Sequence, residues 1–238
     1  MSTANFESEA TILVDGVAVP VRVLRSARAR SYRLTIDGAR GGLRLSLPAR
    51  ANLKKALGWA QDHEGWVRAQ MARQPAITPL AHGAVFPLEG REVTIHWVEG
   101  ATRTIRLEGD RLLLGGAAES VGARVRRWLV TRAKAVLETE SQELARDHGL
   151  IVASVGVGDP RSRWGSCASS GAIRYSWRLI LCPPEVRRAT VAHELAHLLH
   201  MDHSPAFHAA HRRIHGADPR PAREWLRVHG AGLHRYRG

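Results

Sequence analysis

The sequence predicts an α+β protein in which a β-rich N-terminal region, residues 1–116, precedes a mixed domain, residues 117–238. Three observations support this fold class. Apolar and polar residues alternate in short runs from Thr11 to Pro48, apolar residues recur at helical intervals from Glu119 to His148, and an apolar helix carrying two histidines follows Pro183-Pro184. Alternation with a period of two is typical of strands, whereas spacing of three or four residues is typical of helices.

Short strands and tight turns dominate the N-terminal region. Asp15-Gly16 and the DGARGG segment at residues 37–42 separate runs such as ATILV and LRLSL, as turns do between strands. One helix is predicted from Ala51 to Arg73. Residues 74–87 contain three prolines and a glycine and are predicted to be a linker, and further short strands follow up to Leu114.

The second half of the chain is predicted to place a strand hairpin before the histidine-containing helix. The longest helix should end near Gly149, and a strand is expected near residues 151–157. The SRWGSC segment and a strand from Ala172 to Leu181 are separated by a four-residue turn, which indicates a hairpin. Pro183-Pro184 then favours the start of a helix, because proline is well tolerated in a first turn.

The composition indicates a cytoplasmic protein that does not span a membrane. No apolar run approaches the roughly 20 residues that a membrane-spanning helix needs, and the polar N-terminus does not resemble a signal peptide. Two cysteines do not make a disulfide framework. The formal charge of +13 allows non-specific association with nucleic acid, but its arginines are scattered along the chain rather than clustered.

The strongest chemical signal is a pair of histidines one helical turn apart. His193 and His197 project from the same face of the predicted helix, so both imidazoles can bind one metal ion, and zinc accepts such nitrogen ligands. Glu194 follows the first histidine, which places a carboxylate beside the metal as a general base for its water. The helix is otherwise apolar, and buried imidazoles there need a metal or another partner.

Three downstream histidines compete to be the third ligand. His200 would lie about 10.5 Å along the helix axis from His193, which is too far on a straight helix. His208 lies on the next helix and is less constrained. His203 precedes Ser204-Pro205, a pair that favours the beginning of a new helix. A chain reversal at this point would return His203 to the metal, so we predict His203 as the third ligand.

These motifs together resemble the YgjP-like metallopeptidases, which are related to SprT-like proteases. The resemblance covers about residues 162–207 and rests on the runs RWGSC, YSWRL, PPEV, HELAH and DHSPAF, with a later REWLR segment. It implies a zincin-like catalytic domain, in which the active-site helix packs on a small sheet behind the β-rich region. It also implies one zinc ion per chain, held by His193, His197 and His203, with Glu194 catalytic.

Two further groups of residues are candidates for roles in the same site. The segment before the hairpin is a candidate edge strand that holds an extended substrate by backbone pairing. It comprises Arg163, Trp164, Gly165 and Ser166. Candidates for stabilising an oxyanion or for orienting a ligand histidine are His200, Tyr175 and Asp202.

The predicted function is therefore a zinc metallopeptidase of the HExxH type, which hydrolyses peptide bonds with a water that zinc binds and Glu194 activates. The alternatives are a nucleic-acid-associated protein with a structural zinc site, and a protease recruited to DNA-bound proteins. A catalytic site keeps one metal position open, whereas a structural site has four protein ligands. The number of protein ligands therefore distinguishes these classes.

Overall fold

The computed structural model describes residues 7–37, 42–72 and 76–238 of the chain. The chain divides into two compact units, Met1–Pro75 and Ala76–Gly238. Each unit has its own hydrophobic core. The α+β fold class is confirmed, with a β-rich N-terminal region and several small sheets.

The first unit is a four-stranded sheet accompanied by two helices. Its elements are β1 (Glu7–Val14), β2 (Val17–Ser26), β3 (Arg33–Asp37), β4 (Gly42–Pro48), α1 (Leu53–Asp62) and α2 (Glu64–Ala72). The strand order is β1-β2-β4-β3, with β2 and β4 parallel. β1 and β2 meet at Asp15-Gly16, whose φ angles of 51° and 76° suit an Asp-Gly hairpin turn. The predicted strands are confirmed, and most of the DGARGG turn lies outside the described residues.

The single helix predicted from Ala51 to Arg73 is two helices, and Arg73 itself lies outside the described residues. His63 separates them with φ −96° and ψ 19°, which are not helical values. Its Nδ1 bonds to the carbonyl oxygen of Trp59 at 2.7 Å, and its backbone N–H caps the end of α1. The side chain of His63 therefore stabilises a break that helical periodicity does not reveal.

The second unit begins with a four-stranded sheet of order β6-β7-β9-β8. The first elements of the second unit are β5 (Thr78–Pro79), β6 (Val85–Leu88), β7 (Arg91–Trp97), β8 (Arg106–Glu108) and β9 (Arg111–Leu114). All of them except β5 belong to this sheet. The predicted linker over residues 74–87 is therefore wrong for the part of it that the structure describes. Leu80 and Phe86 are buried there, so this segment contributes to a core despite its prolines.

The remaining elements of the second unit include the buried helix α4 and the elements that pack against it. They are α3 (Val121–Asp147), β10 (Ser154–Gly158), β11 (Gly165–Cys167), β12 (Ala172–Ser176), α4 (Pro184–Ala196), α5 (Pro205–His215), α6 (Arg220–Leu233) and β13 (Tyr236–Arg237). α4 contacts α3, α5, α6 and β11. In the three-stranded sheet β10-β12-β11, β11 pairs antiparallel with β12, which confirms the hairpin. β13 pairs with β5.

The structure places the boundary between units about 40 residues earlier than the sequence analysis, which divided the chain after residue 116. The reason is hydrophobic packing. Phe86, Ile95 and Leu112 from the four-stranded sheet belong to the same core as Leu129 of α3 and Leu195 of α4. Apolar surface of that sheet is thus buried by the helices that follow it, and the sheet belongs to the second unit.

The strand predicted from Ala172 to Leu181 is shorter than expected. β12 ends at Ser176, and Trp177–Leu181 forms a 3₁₀ turn whose five residues are all buried. The Ser176 hydroxyl accepts a hydrogen bond from the backbone N–H of Arg178, which caps this turn. A short run of buried residues does not distinguish a strand from a helical turn, so the sequence pattern was ambiguous here.

No helix within the described ranges combines the length and apolarity needed to cross a membrane. The longest, α3, has 27 residues but carries many charged side chains.

Candidate metal centre

The centre lies at the C-terminal end of α4 and on the chain reversal that follows. α4 begins at Pro184, as predicted, and has its last helical residue at Ala196. Most of its residues are buried, because other elements of the unit pack around it. His193 and Glu194 lie in its last turn, and His197 is its C-cap. The helical repeat therefore presents both histidines to the same side.

The reversal brings His203 to the two helical histidines. One nitrogen from each of His193, His197 and His203 lies within 4.8 Å of the other two. The Nε2 atoms of His203 and His193 are 3.3 Å apart. Two local bonds hold this reversal: Asp202 Oδ1 accepts from the backbone N–H of Ser204 at 3.2 Å, and Ser204 Oγ accepts from that of Phe207 at 3.4 Å.

The three imidazoles pack against one buried aromatic ring. The Phe207 centroid lies 4.9 Å from that of His193, 4.4 Å from that of His197 and 4.7 Å from that of His203. Phe207 is fully buried, so this contact restricts the orientations of all three rings. Sequence reasoning did not assign it a role, although its place in the first turn after Ser204-Pro205 was a usable signal.

The protonation states of His193 and His197 suit metal binding. The Nδ1–H of His197 donates to the carbonyl oxygen of His200 at 3.0 Å, which leaves its Nε2 lone pair free. Burial lowers the pKa of His193 to about 3, so this ring is neutral at neutral pH. Neutral imidazoles with converging nitrogens fit a zinc ion. His200 thus contributes a backbone carbonyl to the centre, and a role for its side chain stays a prediction.

Glu194 is 4% exposed and lies beside the histidines. Burial raises the pKa of its carboxyl group to about 7, and the positive charge of Arg163 opposes this rise. The carboxylate packs against the backbone of β11, where a β-carbon added to Gly165 would lie 2.3 Å from Oε1 and 2.6 Å from Cγ. Only glycine leaves room for Glu194 at this position.

β11 is an edge strand beside a cavity. Within the described residues its one strand partner is β12, with Gly165 opposite Tyr175 and Ser166 opposite Arg174. A cavity of about 260 Å³ is lined by Glu194 and by Arg163, Trp164 and Gly165 from the segment around the start of β11. Ser166 is not among the residues that line it.

Two of the candidate assisting residues are engaged elsewhere. Tyr175 is fully buried and its hydroxyl bonds to Ser141 Oγ at 3.0 Å, so no substrate oxygen has access to it. Burial also raises the pKa of Tyr175. Asp202 is exposed, and its carboxylate accepts from the backbone of Ser204. Among the described contacts it has no hydrogen bond to a histidine ring.

His208 and His211 on α5 occupy different environments. His208 is exposed, and its ring centroid lies 6.4 Å from that of His203, outside the three-histidine cluster. His211 is buried, its Nε2–H donates to the carbonyl oxygen of Ala189 at 3.1 Å, and its ring lies 5.1 Å from that of His193. Sequence reasoning missed His211, although it follows Phe207 by one helical turn and therefore lies on the same face of α5.

This arrangement, with convergent imidazoles on and beside a buried helix and a carboxylate next to the first of them, is the one that metal-dependent peptidases use. The YgjP-like metallopeptidase domain matches residues 30–229, and the chain belongs to this family. No curated protein and no solved structure matches the chain significantly. Family membership implies a metal-dependent protease with peptide or protein substrates.

Proposed function

We propose that the protein is a zinc metallopeptidase of the HExxH type that hydrolyses peptide bonds. The observation that carries the proposal is the convergence of three imidazole nitrogens within 4.8 Å of one another, beside a glutamate that is 4% exposed. His193, His197 and His203 would hold one zinc ion per chain. When bound, zinc supplies a Lewis acid that polarises the scissile carbonyl and lowers the pKa of a water molecule.

Glu194 acts as the general base and then as the general acid. Its carboxylate accepts a proton from the attacking water and delivers that proton to the nitrogen of the departing amine. Burial raises the pKa of this carboxyl group to about 7. A pKa near neutral suits a group that first accepts a proton and then donates it. The backbone of β11 limits the positions of its side chain, because Gly165 lies directly against it.

β11 holds the substrate in an extended conformation. Its second edge has no strand partner within the described residues, so its backbone groups are free to pair with a peptide strand. Arg163, Trp164 and Gly165 line the cavity next to Glu194, and backbone pairing would therefore bring the scissile bond beside this carboxylate. Ser166 takes part through its backbone within the strand.

The number of donors favours catalysis over a structural metal site. The cluster of potential ligands within the described residues contains three histidines, which leaves a coordination position for water and substrate. No described feature specifically favours nucleic-acid association. A cytoplasmic location stays a prediction.

The proposal is tested by removing and restoring the metal. Protein stripped with a chelator should regain one zinc per chain on dialysis against zinc, together with cleavage of denatured casein or a quenched fluorescent peptide library. Elemental analysis and fluorescence measure the two effects, and His193→Ala serves as the control that retains neither. Wild-type protein that stays metal-free after reconstitution, or that binds zinc and cleaves none of these substrates, contradicts the proposal.

Gly165→Ala is expected to reduce peptidase activity while the chain still folds and binds zinc. The added methyl group overlaps the Glu194 carboxylate at 2.3 Å from Oε1, so the side chain must move away from its reactive position. A misplacement of about 1 Å can cost about 10²-fold in rate, and we expect a loss of this order in kcat/KM.

The matched control for this substitution is Gly156→Ala in the same three-stranded sheet. A β-carbon at Gly156 meets its nearest atoms at 3.9 Å, an ordinary contact distance. This variant should keep wild-type activity. Equal activity in the two variants would show that Glu194 does not depend on the close approach of β11.

A further inference from the structure

A second, larger cavity adjoins the three-histidine centre. Its volume is about 730 Å³, and it is lined by His193 and His203 from the centre and by three arginines from α5 and α6. The arginines are Arg212, Arg220 and Arg223, and we call this space the arginine cavity. It therefore adjoins two of the three residues that would bind the metal.

The protein neutralises only part of the charge of the arginine cavity. Its three arginines face one acidic residue, Asp218, which leaves a formal charge of +2 when the histidines are neutral. Asp218 pairs with Arg220 at 2.7 Å from Nε. The side chains of Arg212 and Arg223 have no ion-pair or hydrogen-bond partner within the part of the chain that the structure describes. Two guanidinium groups beside the centre are thus available to an external anion.

The cavity beside Glu194 has a different character. Its walls include apolar side chains, among them Trp164, Ala222 and Leu226, and Arg223 lines both spaces. Trp164 packs closely against α6, since a β-carbon at Gly230 would lie 2.6 Å from its ring. The two cavities meet at His193, so a substrate at the centre encounters an apolar surface on one side and a cationic one on the other.

We propose that the arginine cavity binds a carboxylate of the substrate, and that the enzyme prefers peptides with an acidic side chain close to the scissile bond. This inference rests on the proposed peptidase function. The planar guanidinium group offers paired N–H donors that match a carboxylate, whereas a lysine of the substrate would be repelled by the local charge. An acidic group also restores charge balance next to the cationic metal centre.

The test uses sets of fluorogenic peptides. The peptides of one set are identical except at one position flanking the scissile bond, which is Glu, Gln or Lys, and each set varies a different flanking position. For the zinc-loaded wild type, kcat/KM should be about tenfold higher with Glu than with Gln at the selective position, and lowest with Lys. The preference should shrink at high salt, because the screening length falls to about 3 Å at 1 M.

Arg212→Glu should abolish the preference for Glu. Arg213→Glu is the matched control, because it changes the net charge by the same amount. Arg213 is the exposed neighbour of Arg212 on the same helix and does not line the cavity. If the charge reversal impairs folding, Arg212→Gln is measured instead. It removes the charge without reversing it and should weaken the preference for Glu. Equal effects of the substitutions at 212 and 213 would show a general charge effect and overturn the inference.

Binding gives a readout that is independent of turnover. The zinc-loaded Glu194→Gln variant should bind the Glu peptide about tenfold more tightly than the Gln peptide by fluorescence anisotropy, and added Arg212→Glu should remove this difference. If the wild type cleaves Glu, Gln and Lys peptides equally, the inference fails while the peptidase function stands. If it cleaves none of them, the proposed function fails, and the inference falls with it.

Discussion

Glu194→Gln is expected to lower kcat/KM for peptide hydrolysis by at least ~10²-fold, the lower range for general acid–base catalysis. Glutamine keeps the shape of the side chain but cannot accept the proton of the attacking water. The fold should be preserved, because the amide occupies the same buried space against β11 and removes a carboxyl group that burial already disfavours in its charged form. Kinetics on a reconstituted sample, its zinc content and its thermal melting curve measure these effects.

Glu185→Gln is the matched control for this variant. Glu185 lies in the first turn of the same helix α4 and is exposed, so the same chemical change occurs at the opposite end, away from the centre. It should retain wild-type activity. Peptidase activity that persists in a clean preparation of Glu194→Gln would show that another group moves the proton, and the assigned role would then be wrong.

His203→Ala is expected to lower zinc affinity by more than ~10²-fold, since loss of a direct ligand should cost more than the 10–100-fold typical of groups that only orient ligands. His203 is the member of the three-histidine cluster that lies on the chain reversal after α4, and its Nε2 lies 3.3 Å from that of His193. Competition with a fluorescent zinc chelator measures the affinity.

His200→Ala and His208→Ala are the controls for the third ligand. His200 contributes its backbone carbonyl to His197, and alanine keeps this group, so zinc affinity should change little. His208 is exposed and stands outside the cluster. If His208→Ala empties the site while His203→Ala does not, α5 must provide the third ligand in the zinc-bound protein.

The local parts of the fold followed from the sequence because short-range rules determine them. Alternating apolar residues predicted β1 to β4, and the Asp15-Gly16 turn takes the positive φ angles that this pair favours. The proline pair predicted the start of α4, and the four-residue spacing of His193 and His197 put both rings on one side. The prediction that His203 lies in a chain reversal also rested on a local signal, the capping residue Ser204.

Long-range packing accounts for what the sequence analysis missed or misplaced. Residues 76–116 belong with the helices because their apolar side chains share a core with α3 and α4, which the loop-like composition of residues 74–87 concealed. The 3₁₀ turn after Ser176 has the same buried pattern as a strand. Tyr175 was a candidate for the site on its chemistry alone, and its partner Ser141 comes from a distant part of the chain.

The sequence by itself determined which histidines come together in the candidate centre, because a helix repeats every 3.6 residues and a capped proline turn reverses the chain locally. Only the tertiary structure decided what surrounds those donors. Phe207 beneath three rings, Gly165 against Glu194 and the arginine cavity beside His193 depend on how α5, α6 and β11 pack on α4. Apart from the contact between Phe207 and His203, these contacts join residues of different elements, and helical or strand periodicity does not encode them.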